Sequence, residues 1–312
     1  MGAGSARPGR TAGNRLWWGS RVIVLPREIA EHVGRDDVVV WDGDPATPPG
    51  STRFYVPSYM AGEWAFEAMR LMPDLEVCQL HTAGFEHALA HLPEGVTLCN
   101  AAGVHDASTA ELAVGLMLTS LRHLDDMARG MPRGEFLHDR FDALADKRVL
   151  VVGAGGIGQV LARRLEGFEC DVILVGRTAR EGVRARADLD DLLPEADVVV
   201  LALPLDDSSR GMVDARFLSR MHDGALLVNV ARGGIADTHA ILAEAGRLRF
   251  ALDVTDPEPL PVEHPLWRAP GVFITPHVGG NTTAFLPRIG RLVTDQVRRW
   301  QSGAPLSNAI VS

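Results

Sequence analysis

The sequence predicts an α/β protein made of two doubly wound parallel-sheet domains. Three observations predict it. Short apolar runs alternate with helical patterns along the whole chain. That alternation starts afresh after one long apolar helix. The first strand of the second series then runs straight into a glycine-rich turn that opens a helix. Strands that read as continuous apolar runs are buried on both faces, the condition of a parallel sheet covered by helices.

In the first series, residues 22–25, 38–41, 53–56, 77–80 and 96–99 read as strands, with a helical stretch at 61–72 and a proline-rich loop at 44–50. Ahead of them, residues 1–20 hold arginines and no acid. Their glycines and Pro8 spoil an amphipathic transit helix, and no apolar signal core is present, so a flexible tail is expected. A long helix is expected over 108–129. Ser108 and Glu111 have the spacing of a capping box, and Leu112, Ala113, Leu116, Met117, Leu118 and Leu121 leave little polar face. Such a helix bridges two domains or faces a second subunit.

The second series has strands at 148–152, 172–175, 198–203, 226–230, 251–254 and 272–275, and helices at 156–168, 215–221 and 238–245. Asp214 and Asp237 stand at N-cap positions and Gly246 at a C-cap. A last helix over 287–301 stops at Gly303-Ala304-Pro305.

Composition excludes several functions. The 312 residues include 31 Lys and Arg against 40 Asp and Glu, a net charge of −9. A pI near 5.6 argues against nucleic-acid binding as the main activity. Three cysteines make no disulfide framework and suit a reducing cytoplasm. Cys78, Cys99 and Cys170 fall in or beside apolar strands and read as small core residues. No apolar run approaches the roughly 18 residues of a membrane span, and no cluster has metal-ligand spacing.

Gly153-Ala154-Gly155-Gly156-Ile157-Gly158 is a G-x-G-x-x-G turn. Alone it is weak; directly after the apolar strand 148–152 and ahead of a helix, it has the setting of a dinucleotide site. Gly153 makes the tight turn, Gly155 lets the backbone approach a pyrophosphate, and Gly158 lets helix and strand pack closely. The next strand ends in Gly176 where an NAD site places an acid for the ribose hydroxyls, and Arg177, Thr178 and Arg180 follow. A missing carboxylate and added arginines favour NADP(H) over NAD(H). Arg184 and Arg186 read as a solvated run.

Three more strands end in polar residues: Asn229-Val230-Ala231-Arg232-Gly233-Gly234, Asp253-Val254-Thr255-Asp256-Pro257-Glu258-Pro259, and Thr275-Pro276-His277-Val278-Gly279-Gly280. Open α/β sheets bind ligands at such carboxyl ends. In this ordered set the chain resembles the D-2-hydroxyacid dehydrogenase family, and its local phrasing is most similar to the glyoxylate/hydroxypyruvate reductase branch. The resemblance is strong over about 108–280 and weaker over 22–100. It implies a flavodoxin-like substrate domain (21–106 plus 287–312) and a Rossmann dinucleotide-binding domain (107–286). It implies that Arg232 clamps the substrate carboxylate and polarises the keto oxygen, that His277 is the acid–base, and that Glu258 holds His277 protonated. It implies that Thr82-Ala83-Gly84 meet the substrate carboxylate. Thr109, Pro204, Val230, Ala231, Asp253 and Gly280 would join the glycine loop around the cofactor, with Asp253 accepting from the carboxamide.

The resemblance therefore implies a 2-keto acid reductase, using NADPH by preference, and a homodimer. Phe136 stands where family members often carry Trp. Two alternatives remain open: a nucleotide-sensing corepressor-like protein on the same fold, and another family dehydrogenase acting on phosphoglycerate or phosphite. Formate dehydrogenases carry Gln where Glu258 stands, which disfavours that activity.

Overall fold

The computed structural model describes residues 22–43, 49–59 and 61–311. The expected tail and most of the proline-rich loop lie outside these residues. Five short strands form the first sheet: β1 (Val22–Leu25), β2 (Val38–Val40), β3 (Thr52–Tyr55), β4 (Val77–Gln79) and β5 (Thr97–Cys99). Seven form the second: β6 (Arg148–Val152), β7 (Asp171–Gly176), β8 (Val183–Ala185), β9 (Val198–Leu201), β10 (Leu226–Asn229), β11 (Arg249–Leu252) and β12 (Val272–Ile274). A final strand, β13 (Ala309–Val311), returns to pair antiparallel with β5.

The orders are β13-β5-β4-β3-β1-β2 and β12-β11-β10-β9-β6-β7-β8. All other pairings are parallel. Each sheet is doubly wound, as the sequence predicts. Its strand order reverses between β1 and β3 in the first sheet and between β6 and β9 in the second, so each opens a crevice at that point.

Apolar alternation explains the burial. Val149 and Val151 face one core with helix Asp106–Arg122, while Leu150 and Val152 face the other. The helix packs Ala110, Ala113, Leu116, Met117 and Leu121 into the core of its own chain. It begins at Asp106, not Ser108, and the expected capping box does not form: Ser108 lies inside the first turn and its Oγ accepts from Thr282 Oγ1 at 3.2 Å. The residue at the cap is His105, whose ring nitrogens lie 2.8 Å from the His81 carbonyl and 3.2 Å from the Gly280 carbonyl. Contacts across the chain thus decide this helix start over local capping. The helix also stops early, at Arg122, because His123 takes a left-handed φ of 51°; a separate helix follows at Leu124–Gly130. The helical stretch at 61–72 is one short helix, Trp64–Glu67, continued as a 3-10 turn over Ala68–Leu71. Asp214 and Asp237 do cap, each accepting at 2.8 Å, from the Phe217 and His239 amides. Gly246, with φ 94°, directly follows the C-cap Ala245.

The C-terminal helix Phe285–Ser302 lays Phe285, Ile289, Val293, Val297 and Trp300 on the first sheet's core. Its anchor is polar. Gln296, fully buried, donates to Gln79 Oε1 at 2.7 Å and to the Ser307 carbonyl at 2.8 Å, and accepts from the Ser307 amide at 2.8 Å. A buried polar group left unpaired costs about 1–3 kcal/mol. Gln296→Leu strands the amide oxygen of Gln79 and both backbone groups of Ser307. It should lower unfolding free energy by about 2–4 kcal/mol in urea titrations. Substitution of exposed Arg291 by Gln should stay within about 0.5 kcal/mol.

Candidate active site

The second crevice is cut by what glycines leave out. A Cβ on Gly153 would strike the Ala202 carbonyl, and one on Gly158 would strike the Gly153 carbonyl. The turn after β6 meets the loop after β9 only because Gly153 lacks a side chain, and the helix packs back on that turn only because Gly158 lacks one. Gly155 has nothing within 4 Å of its absent Cβ. Open space therefore lies before the N-terminus of helix Gly156–Glu166, whose amides and dipole suit phosphate. This cradle fits a dinucleotide.

A cavity of about 250 Å³ continues from the turn over the ends of β7 and β9. Gly176 forms part of its wall, with Arg177, Arg180, Pro204 and Ser209. Thr178 is exposed beside it but does not line it. Arg186, expected to be solvated, does line it, because β8 folds back beside β7. Arg184 is the surface residue expected, paired with Asp188 at 3.0 Å. The sequence reading missed Asp206, which lines the cavity and binds Arg177 at 2.5 Å. The Ser208 hydroxyl, helped by its amide and by the charge of Arg177, holds the Asp206 carboxyl below the usual carboxylate range.

Arg232, His277 and Glu258 come from three different loops. Asn229, buried at the end of β10, shapes the first: its side chain donates to the Arg232 carbonyl at 3.0 Å and accepts from the Ala231 amide at 3.0 Å. Gly233 packs where a Cβ would strike the Thr255 backbone, so the Arg232 turn rests on the segment leading to Glu258. Glu258 Oε1 lies 2.5 Å from His277 Nδ1. A carboxylate at Nδ1 implies a proton there and leaves Nε2 as the outward nitrogen.

His277 has a left-handed φ of 52°. Asp253 holds it so. The buried carboxylate accepts from Thr275 Oγ1 at 2.7 Å, the Val278 amide at 2.9 Å and the Gly279 amide at 2.9 Å. The Asp253 carbonyl accepts from the His277 amide at 2.8 Å. A Cβ on Gly279 would sit 3.0 Å from Asp253 Oδ2 and 3.3 Å from Thr109 Cγ2, so Thr109 closes this corner. Gly280 packs against the His105 ring, at the junction of the two sheets. Val230 and Ala231 are buried at the end of β10.

The first sheet contributes the loop after β4. A Cβ on Gly84 would strike the Arg232 guanidinium, so this loop lies directly against it. The Thr82 carbonyl accepts from the Ala101 amide at 2.8 Å and the Ala83 carbonyl from Asn100 Nδ2 at 2.7 Å. In a trans peptide the N–H points opposite to the C=O. The Ala83 and Gly84 amides are thereby turned away from their own sheet. The Arg232 guanidinium has no carboxylate partner within 4 Å among the described residues; it donates to the Ala231 carbonyl at 2.7 Å. Burial first, and the Arg232 charge in addition, hold nearby His87 below the usual histidine range, against the opposing pull of Glu86.

Residues 114–279 match the family model described as D-isomer specific 2-hydroxyacid dehydrogenase, NAD binding domain. A D-3-phosphoglycerate dehydrogenase from Archaeoglobus fulgidus is 30% identical over 226 residues, 69% of this chain and 43% of its own length. The chain thus spans under half of that relative. The mitochondrial formate dehydrogenase of Hordeum vulgare is 32% identical over 276 residues, 82% of this chain and 71% of its own. Among solved structures, the NADPH-dependent glyoxylate/hydroxypyruvate reductase from Sinorhizobium meliloti, in complex with NADP and sulfate, superposes with a TM-score of 0.79 at 26% identity, covering 93% of this chain and 98% of that one. A glycine cradle at one switch point, an arginine with no carboxylate within 4 Å among the described residues and a carboxylate-bound histidine agree with these likenesses, and the chain belongs to the D-isomer specific 2-hydroxyacid dehydrogenase family.

Proposed function

We propose that the protein reduces a small 2-keto acid of the glyoxylate or hydroxypyruvate type to the D-2-hydroxy acid, with NADPH preferred over NADH. The observation that carries this reading is Arg232, a cation with no carboxylate within 4 Å among the described residues, set against the Gly84 loop whose Ala83 and Gly84 amides turn from their own sheet. That arrangement asks for a carboxylate. The guanidinium fork and the amides of Thr82-Ala83-Gly84 would bind it, and a second face of Arg232 would polarise the keto oxygen.

NADPH, when bound, supplies the hydride that adds to the keto carbon. Gly153, Gly155, Gly156, Ile157 and Gly158 would hold its pyrophosphate, and Pro204, Arg177, Thr178 and Arg180 its adenosine end. Thr109, Val230, Ala231, Asp253 and Gly280 would border the nicotinamide. The Arg232 guanidinium would stabilise the negative charge that develops on the keto oxygen. His277 Nε2–H would give its proton to that oxygen, with Glu258 bound at Nδ1 to hold the ring in line. Oxidation runs the same steps backwards, with neutral His277 taking the proton.

Gly176 supports the choice of NADPH. An added Cβ there would meet Arg180 Nη1 at 3.2 Å and Val183 Cγ1 at 3.0 Å, so a guanidinium occupies the space of the usual acid. The NADP complex of the Sinorhizobium enzyme supports it further. The likeness to phosphoglycerate and formate dehydrogenases makes those substrates the competing readings. An initial-rate panel decides among them: glyoxylate, hydroxypyruvate and 3-phosphohydroxypyruvate with NADPH or NADH, and formate with either oxidised cofactor. Turnover fastest with glyoxylate or hydroxypyruvate and NADPH is expected. No turnover at all would leave the sensing, corepressor-like reading.

We propose also that two copies associate. The apolar helix Asp106–Arg122 is not the reason, since its face is buried within its own chain. The support is the following segment, where Met131 and Phe136 are 76% and 90% exposed and Leu124 and Leu137 are exposed near them. A cytoplasmic location accords with three free cysteines, two of them buried.

Arg232→Ala should cut kcat/KM for the keto acid by about 10²–10³-fold, and Arg232→Lys should recover only part, because an ammonium cannot bind bidentately. His277→Ala should lower kcat by about 10²–10⁴-fold and Glu258→Gln by about 10–10²-fold with KM little changed. Steady-state kinetics read all four values. Light scattering should give about twice 33.7 kDa, and Phe136→Glu should return the protomer mass.

A further inference from the structure

The adenosine end of the cavity holds one feature that an NADP site does not need, a carboxylate. Asp206 Oδ2 binds Arg177 Nη2 at 2.5 Å, and both side chains line the cavity. The acid is fixed in place. Its Oδ1 accepts from the Ser208 amide at 2.9 Å and the Ser208 hydroxyl at 2.5 Å. Its own amide donates at 2.8 Å to Ser209 Oγ, which donates in turn to the Pro204 carbonyl at 2.8 Å. Arg180 is tied elsewhere, to the Ala154 carbonyl of the glycine turn at 2.9 Å. Arg186 has no ion-pair partner within 4 Å among the described residues.

We propose that Asp206 sets the balance between the two cofactors: it occupies Arg177 in the absence of a 2′-phosphate and offers its carboxylate to the hydroxyls of an unphosphorylated ribose. The inference rests on the reading that this cavity takes the adenosine end of a nicotinamide dinucleotide. Position 176 has no side chain to accept from ribose. Asp206 brings an acceptor to the same cavity from the loop after β9, one strand beyond β6. A 2′-phosphate must draw Arg177 away from Asp206 and tolerate the carboxylate nearby. Arg177 is 70% exposed, so the pair separates at small cost. Arg186 and Arg180 remain to outweigh the acid. The site therefore prefers NADPH but keeps NADH usable.

Asp206→Asn tests this with little risk to the fold, because the amide oxygen keeps both Ser208 hydrogen bonds while the charge on the Arg177 side is lost. Calorimetry with adenosine 2′,5′-bisphosphate and with AMP reads the site without turnover. The variant should bind the bisphosphate about 3–10-fold tighter and AMP no tighter than the parent. The kcat/KM ratio of NADPH to NADH should rise by the same factor. In an Arg177→Ala background the gain should shrink to less than half, since Asp206 acts partly through that arginine. An unchanged or falling preference for the bisphosphate overturns the proposal. If Asp206→Asn does not fold, Asp206→Ser reads the same preference. A parent that turns over faster with NADH defeats the NADPH reading alone; the shift caused by Asp206→Asn still decides the role of Asp206.

Discussion

The buried carboxylate of Asp253 bears the geometry of the candidate catalytic centre. It sits at the end of β11 and gathers Thr275, Val278 and Gly279 from the loop after β12. His277 lies between them in a left-handed conformation, a state that costs a non-glycine residue about 1–3 kcal/mol. Hydrogen bonds to a charged acceptor contribute about 1.5–3 kcal/mol each, so three of them outweigh the strain. The ring is thereby aimed before any ligand arrives, and Glu258 needs only to fix its rotation.

The same economy of approach governs the cofactor crevice. Two loops meet where the strand order reverses, and they meet closely because Gly153 has no Cβ, while Gly158 lets the helix pack on the turn itself. The contact makes the turn rigid and leaves Gly155 facing open space. Pre-set phosphate donors lose no conformational freedom on binding, which is why a turn of six residues can anchor a large, charged ligand.

Between the sheets, the cleft is polar on both sides. The Gly84 loop and Arg232 face each other from different domains, and His105 links the His81 and Gly280 carbonyls nearby. Burial pushes His81 down to about 4, so it stays neutral behind His105. The Gly84 loop and Arg232 come from different sheets, and His105 spans the same junction through its contacts with His81 and Gly280.

The sequence by itself determined the two doubly wound sheets, nearly every strand, the glycine turn and the order of Arg232, Glu258 and His277. These follow from short-range causes: apolar runs long enough to be buried on both faces, and turns that tolerate only glycine. It also determined the caps at Asp214 and Asp237, where a side chain bonds an amide two or three residues away. It did not determine the start of helix Asp106–Arg122, where contacts from His81, Gly280 and Thr282 prevail over the Ser108 and Glu111 spacing. Nor could it separate Arg186 from Arg184, two residues apart on β8 and its edge, one turned to the cavity and one to solvent. The partnership of Asp206 with Arg177 was equally hidden. Twenty-nine positions separate them, and only the parallel stacking of β7, β6 and β9 brings their loops to one rim. Charge at that rim is a tertiary property, because it depends on which side chains the sheet order makes neighbours.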